Sequence, residues 1–277
     1  MPKGCVLLYL SSKAEKTQRW KNSSRSSTWR ERTSRSLWRN WTMQTVSDDR
    51  ILKARMAAIT EVLSREIYDD VVIGIGSGST IEMLLRELGK FVKERGLNII
   101  VIPSSYRSHM LAIDEGLRTA TLYEYSSLDL TIDSFDESDE ENNVIKGGGA
   151  ALTREKVIAQ AAKRVVYVAD YAKMKKVLSM PVPLEVLPFA LPHVKNAIKR
   201  LNGELKPRYG TGKFGPVFSD NGNIIADVDF GELKDPPRLE VELKRIAGVV
   251  ENGIFANMCH MTYIGQQDGT VKKVEWK

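Results

Sequence analysis

The sequence predicts an α/β protein: a parallel sheet with helices on both faces, joined to a second, smaller α+β unit. Three observations lead there. Between residues 48 and 170, short continuous apolar runs alternate with amphipathic stretches, the pattern of strands buried on both faces and linked by crossover helices. Two glycine-rich stretches, "GIGSGST" (74–80) and "KGGG" (146–149), each run into a predicted helix. After residue 180 the texture changes to prolines 181, 183 and 188, shorter alternating segments and the hairpin signal "DNGN" (220–223), which suit an antiparallel sheet.

Taken in order, "ILKARMAAITEVLSREI" (51–67) brings an apolar residue back every three or four positions and predicts a helix. "VVIGIG" (71–76) is a short apolar run ending in glycine, a buried parallel strand. "STIEMLLRELGKFVKERG" opens on the capping residues Ser79 and Thr80 and closes at Gly96, so it predicts a helix. "LNIIVIP" (97–103) is the next strand, "SYRSHMLAIDEG" a helix, and "LDLTID" (128–133) a strand that delivers Asp133 at its carboxyl end. "AALTREKVIAQAAK" (150–163) and "RVVYVAD" (164–170) complete the alternation. Beyond them the prolines predict a stiff boundary. Then come a helix near "PHVKNAIKRLNG", strands in "GELKPRYG" and "PVFSDNGNIIADVDF", a helix near "DPPRLEVELKRIAG", and final strands from the tail. The expected division is a Rossmann-like domain of residues 47–181 and 253–277 and a small α+β (ferredoxin-like) domain of residues 182–252.

Composition narrows the function classes. The formal net charge is +6, but residues 1–46 hold ten Lys/Arg against two Glu, leaving 31 basic and 33 acidic residues in the remainder. The basic character therefore belongs to the N-terminal segment, and the body offers no nucleic-acid footprint. That segment is rich in Ser and Arg and lacks an apolar period, so residues 1–46 are expected to be a disordered leader. A transit peptide, or an extension ahead of a start at Met43, are the alternatives. No apolar run approaches the ~18 residues of a membrane helix. Cys5 and Cys259 are too few for a disulfide framework and fit a reducing compartment.

Ligands of open parallel sheets sit beyond the carboxyl ends of the strands, where both glycine loops, Asp133 and Asp170 are expected. "GIGSGST" between strand and helix suits a phosphate, held by peptide N–H groups and a helix N-terminus. A dinucleotide fingerprint would need glycine at position 79, and a P-loop would need Gly-Lys-Ser/Thr; neither is present. A small phosphorylated metabolite on Ser77, Ser79 and Thr80, or a turn serving only tight packing, remain. In "KGGG" the glycines let a ligand approach the peptide N–H groups, Lys146 adds positive charge, and Glu155 on the following helix suits a general base. Asp133 and Asp136 could bind sugar hydroxyls, hold a divalent metal or serve a glycosidase; Asp139, Glu140 and Glu141 read as a solvated loop.

The motifs "GIGSGST", "IDSFDE", "IKGGGAALTREK", "VPLEVLPFA", "GPVFSDNGNIIADVDF", "IAGVVENGIFANM" and "IGQQDGTV" occur in this order and resemble the type A ribose-5-phosphate isomerase family over about residues 50–272. The resemblance implies interconversion of D-ribose 5-phosphate and D-ribulose 5-phosphate through an enediolate, with no metal, nucleotide or other cofactor. It implies a phosphate loop of Ser77, Gly78, Ser79 and Thr80, with Lys173 of "DYAK" reaching the phosphate. Asp133, Ser134, Phe135 and Asp136 take the place of the family's "DGAD", Lys146, Gly147, Gly148 and Gly149 that of its "KGGG", and Glu155 that of its general base. Ser134 and Phe135 replace Gly-Ala and add bulk where the sugar would lie. The remaining acids of the stretch are expected to form a solvated rim. The family also implies a cytoplasmic homodimer or homotetramer whose only partner is the sugar phosphate, with no nucleic acid and no membrane. Related readings are another sugar-phosphate enzyme on the same scaffold, and a sensor that binds without turnover.

Overall fold

The computed structural model describes residues 32–210 and 214–276, with side chains from residue 49 onward. Helix α1 (Arg32–Glu66) begins at Arg32 rather than near Ile51. No glycine or proline interrupts residues 32–66, so nothing in the backbone ends the helix earlier. Residues 1–31 of the basic segment lie outside the described residues, as does the side chain of Met43. From Ala54 onward one face of α1 is buried through Ala58, Ile59, Val62 and Leu63, the stripe expected of a helix laid on a sheet.

The chain then alternates as predicted: β1 (Val72–Ile75), α2 (Ser79–Arg95), β2 (Ile100–Pro103), α3 (Tyr106–Asp114) and β3 (Leu130–Asp133). Two short strands, β4 (Glu137–Ser138) and β5 (Asn143–Ile145), precede α4 (Leu152–Ala161) and β6 (Val165–Asp170). The second unit runs β7 (Val182–Val186), α5 (Leu191–Arg200), β8 (Glu204–Pro207), β9 (Ile224–Asp229), α6 (Pro236–Lys244) and β10 (Val249–Asn252). Strands β11 (Ile254–Ala256), β12 (Met261–Gly265) and β13 (Val271–Glu275) close the described chain.

Three sheets result. The first has the order β13-β12-β6-β3-β1-β2, parallel except for β13. After β1 the chain moves first to β2 on one side and then to β3 on the other, so the order reverses between β1 and β3. That crevice is where open α/β sheets bind ligands. The second sheet, β10-β7-β9-β8, is antiparallel, and its β-α-β-β-α-β sequence is the ferredoxin-like arrangement. The third, β11-β5-β4, is small and antiparallel. Helices α1, α2 and α3 pack with the first sheet around Ile59, Ile73, Leu84 and Leu88, and the second sheet holds its own core of Leu184, Val186, Ile198 and Val228. Among the described residues no helix is long and apolar enough to cross a membrane.

Two local expectations are corrected. The stretch after Pro181, for which no strand was predicted, is β7, an interior strand. Pro183 stands where the β10 ladder ends, its carbonyl accepting the Gly253 N–H at 2.7 Å, so the missing N–H breaks no ladder. The acidic stretch is not all solvated rim. Glu137 is 2% exposed and accepts the Ser179 and Met180 N–H groups at 2.6 and 2.9 Å. Asp139, 6% exposed, accepts from the Asn143 and Glu141 backbones and from the Asn143 amide. Both act as structural acceptors that tie β4 and its turn together, while Glu140 and Glu141 are exposed.

Candidate active site

The two glycine loops meet at one cleft. Strand β1 ends at Ile75, and α2 starts at Ser79 behind Gly78, whose φ of 109° lies in a region that glycine alone adopts freely. No side chain caps α2, which leaves its first N–H groups directed at the cleft. The Thr80 hydroxyl is buried there without a hydrogen-bond partner. Ser77 is tied down by Ser104 and Ser105, each with Oγ 2.8 Å from Ser77 Oγ, while Ser108 donates to the Gly76 carbonyl at 2.7 Å. Arg55 of α1 stands behind the loop, its Nε 2.8 Å from Asp170 and its Nη1 3.3 Å from Ser79 Oγ.

Three buried ionisable side chains meet beside this loop. Asp133 closes β3 and is 1% exposed. A Cβ on Gly76 would lie 1.8 Å from the Asp133 carboxylate, so glycine at 76 is what lets the acid lie against the loop. Lys146 follows β5, and its ammonium sits 2.9 Å from Asp133 Oδ2 and 3.5 Å from Glu155 Oε2, while also donating to the Ser134 carbonyl. Asp133 accepts the Ser134 N–H at 2.7 Å as well. Glu155 lies in the first turn of α4, and its Oε2 is buried with no hydrogen-bond partner.

Burial dominates the electrostatics of this cluster. It pushes the Glu155 carboxyl up to about 8; Lys146 opposes that rise, and the neighbouring Asp133 and Asp136 add to it. Burial raises the Asp133 carboxyl too, against the pull of Lys146 and the Ser134 amide. For Lys146 burial disfavours the ammonium, but Asp133 and Glu155 hold it above its ordinary value. Of the two acids Asp133 has the shorter contact with Lys146 and an N–H donor besides, so Glu155 is the less compensated carboxyl.

The cleft is lined by Ser77, Gly78, Ser79, Thr80, Ser134, Phe135, Asp136, Lys146, Gly147, Gly148, Gly149, Glu155 and Lys173. These are the residues singled out from the sequence, with Asp133 lying against Gly76 rather than among the lining groups. Asp136 lines the cleft and accepts the Gly148 N–H at 2.8 Å. Lys173 lines the same cleft as the α2 loop, and it donates to Ser134 Oγ at 3.1 Å and to the Phe135 carbonyl at 2.5 Å. Burial, and then the charge of Arg55, lower its pKa. The bulk expected from Phe135 goes elsewhere: its ring packs edge-on against Tyr167, with centroids 5.7 Å apart, in a buried cluster with Val144 and Phe255.

Sequence reasoning passed over Arg55, Ser104, Ser105 and Ser108. The run "SSYRS" after the second strand was a usable signal for the serines; Arg55 looks like any polar position of an amphipathic helix. Among the described residues no three His, Cys, Asp or Glu side chains gather as a metal site. Between Asp133 and Glu155, where a cation would sit, stands the Lys146 ammonium.

An α/β fold with an uncapped helix N-terminus at its switch point, and a carboxyl raised by burial beside it, fits the class of acid–base enzymes that act on small anionic substrates. Comparison with known proteins narrows this. The family description Ribose 5-phosphate isomerase A (phosphoriboisomerase A) matches residues 100–269. Ribose-5-phosphate isomerase A of Methanosarcina acetivorans is 48% identical over 206 residues, covering 74% of this chain and 88% of that protein. The protein of the same name from Archaeoglobus fulgidus is 48% identical over 192 residues, covering 69% and 85%. Among solved structures, a D-ribose-5-phosphate isomerase in complex with phospho-erythronic acid superposes with a TM-score of 0.79 at 38% identity, covering 82% of this chain and 99% of that one. The Plasmodium falciparum ribose 5-phosphate isomerase gives 0.76 at 31% identity, covering 81% and 98%. The chain belongs to the ribose-5-phosphate isomerase A family.

Proposed function

We propose that this protein interconverts D-ribose 5-phosphate and D-ribulose 5-phosphate, the aldose–ketose isomerisation for which its relatives are named. The observation that carries the reading is the Glu155–Lys146–Asp133 cluster beside a phosphate-sized loop. Isomerisation moves a proton between C2 and C1 through an enediolate. Glu155, with a pKa near the working pH, takes the proton from one carbon and returns it to the other. Lys146 and the Gly149 N–H face the negative charge that develops on the sugar oxygens, while the Gly148 N–H is held by Asp136. Asp133 keeps Lys146 charged and aimed, and Asp136 is placed to hold a sugar hydroxyl. The N-terminus of α2, with Ser77, Ser79 and Thr80, holds the phosphate, and Lys173 adds charge from the opposite wall.

The reaction needs no redox partner, because the oxidation of C2 and the reduction of C1 cancel within one molecule. We place the protein in the cytoplasm as a homodimer or homotetramer. The test is direct: purified protein is given ribose 5-phosphate, and ketopentose phosphate is followed by its absorbance or by NMR. Tight binding without ketose formation would instead support a sensor.

A further inference from the structure

The second, ferredoxin-like unit reaches the proposed site through one side chain that the mechanism above does not use. Arg208 follows β8, and its backbone is held on both sides: its N–H donates to the Ile225 carbonyl at 2.9 Å, and its carbonyl accepts the Val217 N–H at 2.8 Å. Asp227 of β9 takes the guanidinium in a two-point grip, through Nε at 2.8 Å and through Nη2. That leaves Nη1, which donates to the Gly147 carbonyl at 2.8 Å and the Gly148 carbonyl at 3.0 Å.

A planar trans peptide points its C=O and the following N–H in opposite directions. Holding the Gly147 and Gly148 carbonyls on Arg208 therefore turns the Gly148 and Gly149 N–H groups the other way. The Gly148 N–H goes to Asp136 Oδ2 at 2.8 Å, and the Gly149 N–H takes no acceptor among the described residues. Asp136 and Gly149 both line the cleft. A run of three glycines has little conformational preference of its own; the Ala150 N–H closes a turn on the Gly147 carbonyl at 3.0 Å, and Arg208 is the group that also holds the Gly148 carbonyl and so fixes the second peptide plane.

We propose that Arg208, locked by Asp227, is a positioning residue that orients the peptide planes of the glycine loop, aiming the Gly149 N–H at the developing oxyanion. The residue touches no substrate and acts through the loop. This rests on the isomerase reading, and it gives the second unit a part in the reaction: it sets the donor geometry of the first.

The test uses the full chain as Arg208→Met, Arg208→Lys and Asp227→Asn. Steady-state rates on ribose 5-phosphate are measured beside calorimetric Kd values for phospho-erythronic acid, whose carboxylate stands in for the enediolate oxygens, and for inorganic phosphate. For Arg208→Met the expected result is a kcat lower by roughly 10- to 100-fold with KM changed less than about threefold, the scale of a misplaced donor. Phospho-erythronic acid affinity should fall while phosphate affinity stays. Arg208→Lys should recover part of the loss, since an ammonium can hold a carbonyl but not the fork to Asp227, and Asp227→Asn should lie between. An unchanged kcat overturns the proposal, and so does an equal loss of affinity for both anions, which marks general collapse. Should Arg208→Met fail to fold, the other two variants decide by the same readouts. If wild-type protein does not convert ribose 5-phosphate, the isomerase reading falls, and the two Kd values still judge Arg208.

Discussion

Replacing Glu155 by Gln keeps the shape of the side chain and removes its titration, so it should change catalysis and stability in opposite directions. On catalysis, losing a positioned general base costs ~10²- to 10⁴-fold in kcat while substrate still binds. On stability, the Glu155 carboxyl moves from 4.5 to about 8 on folding. The folded value is the higher one. Its contribution is therefore fully present below about pH 4.5, is lost steadily as pH rises, and is gone above about pH 8. At about 1.4 kcal/mol per unit, the shift amounts to several kcal/mol lost between those limits. Glu155→Gln lacks this loss, though it also gives up the attraction to Lys146, so its advantage over wild type should be small near pH 5 and reach a few kcal/mol by pH 8. Urea unfolding of both proteins at pH 5, 6.5 and 8 measures this, alongside kcat. In the wild type kcat/KM should rise with pH through an apparent pKa of about 8. A near-normal kcat in Glu155→Gln removes Glu155 as the base, and a stability difference that does not vary with pH removes the raised carboxyl.

Lys173→Ala should lower kcat/KM for ribose 5-phosphate far more than for unphosphorylated ribose, by ~10- to 150-fold, the ~1.5–3 kcal/mol of a charge-assisted hydrogen bond. An equal loss for both substrates rules out a phosphate role, leaving only its grip on the Ser134–Phe135 turn. Because burial lowers the Lys173 pKa, phosphate affinity should weaken on the alkaline side at a lower pH than for an ordinary lysine, as a pH series of inorganic phosphate Kd values will report. Turnover should survive exhaustive EDTA treatment; activity lost to chelation and restored by one divalent ion returns Asp133 and Asp136 to the metal reading. Lys156, next to Glu155, is buried among Glu240 at 2.7 Å, Glu251 at 3.1 Å and the Ile254 carbonyl at 2.7 Å. Lys156→Met removes the ion pair of Glu240 and one of the two of Glu251, which keeps Lys244 at 2.7 Å, and should destabilise the fold by up to roughly 3–5 kcal/mol, visible as a fall in Tm; an unchanged Tm contradicts it.

The sequence by itself determined what depends on neighbours along the chain. Apolar runs marked β1, β2, β3 and β6 because a strand buried on both faces has no polar positions to spare. Glycines marked the two loops, because only they permit a ligand so close to the backbone, and the sequence put Glu155 on the helix after the second loop, though deeper in it than the first turn where α4 holds it. The tertiary structure alone decided what depends on partners far away. "VPLEV" reads as no strand, with a proline in it, until β9 and β10 pair on either side of it and make it an interior strand. Glu137 and Asp139 read as solvated acids until the Ser179, Met180 and Asn143 N–H groups arrive as donors. Phe135 reads as bulk in the sugar site until the β3–β6 pairing brings Tyr167 beside it and the ring turns into the core. Arg55 and Arg208 carry no local signal, since a guanidinium on an exposed helix face and one aimed at a site have the same sequence neighbours. The raised Glu155 carboxyl is of this kind too: its cause is the removal of water by several elements at once, which no single segment encodes.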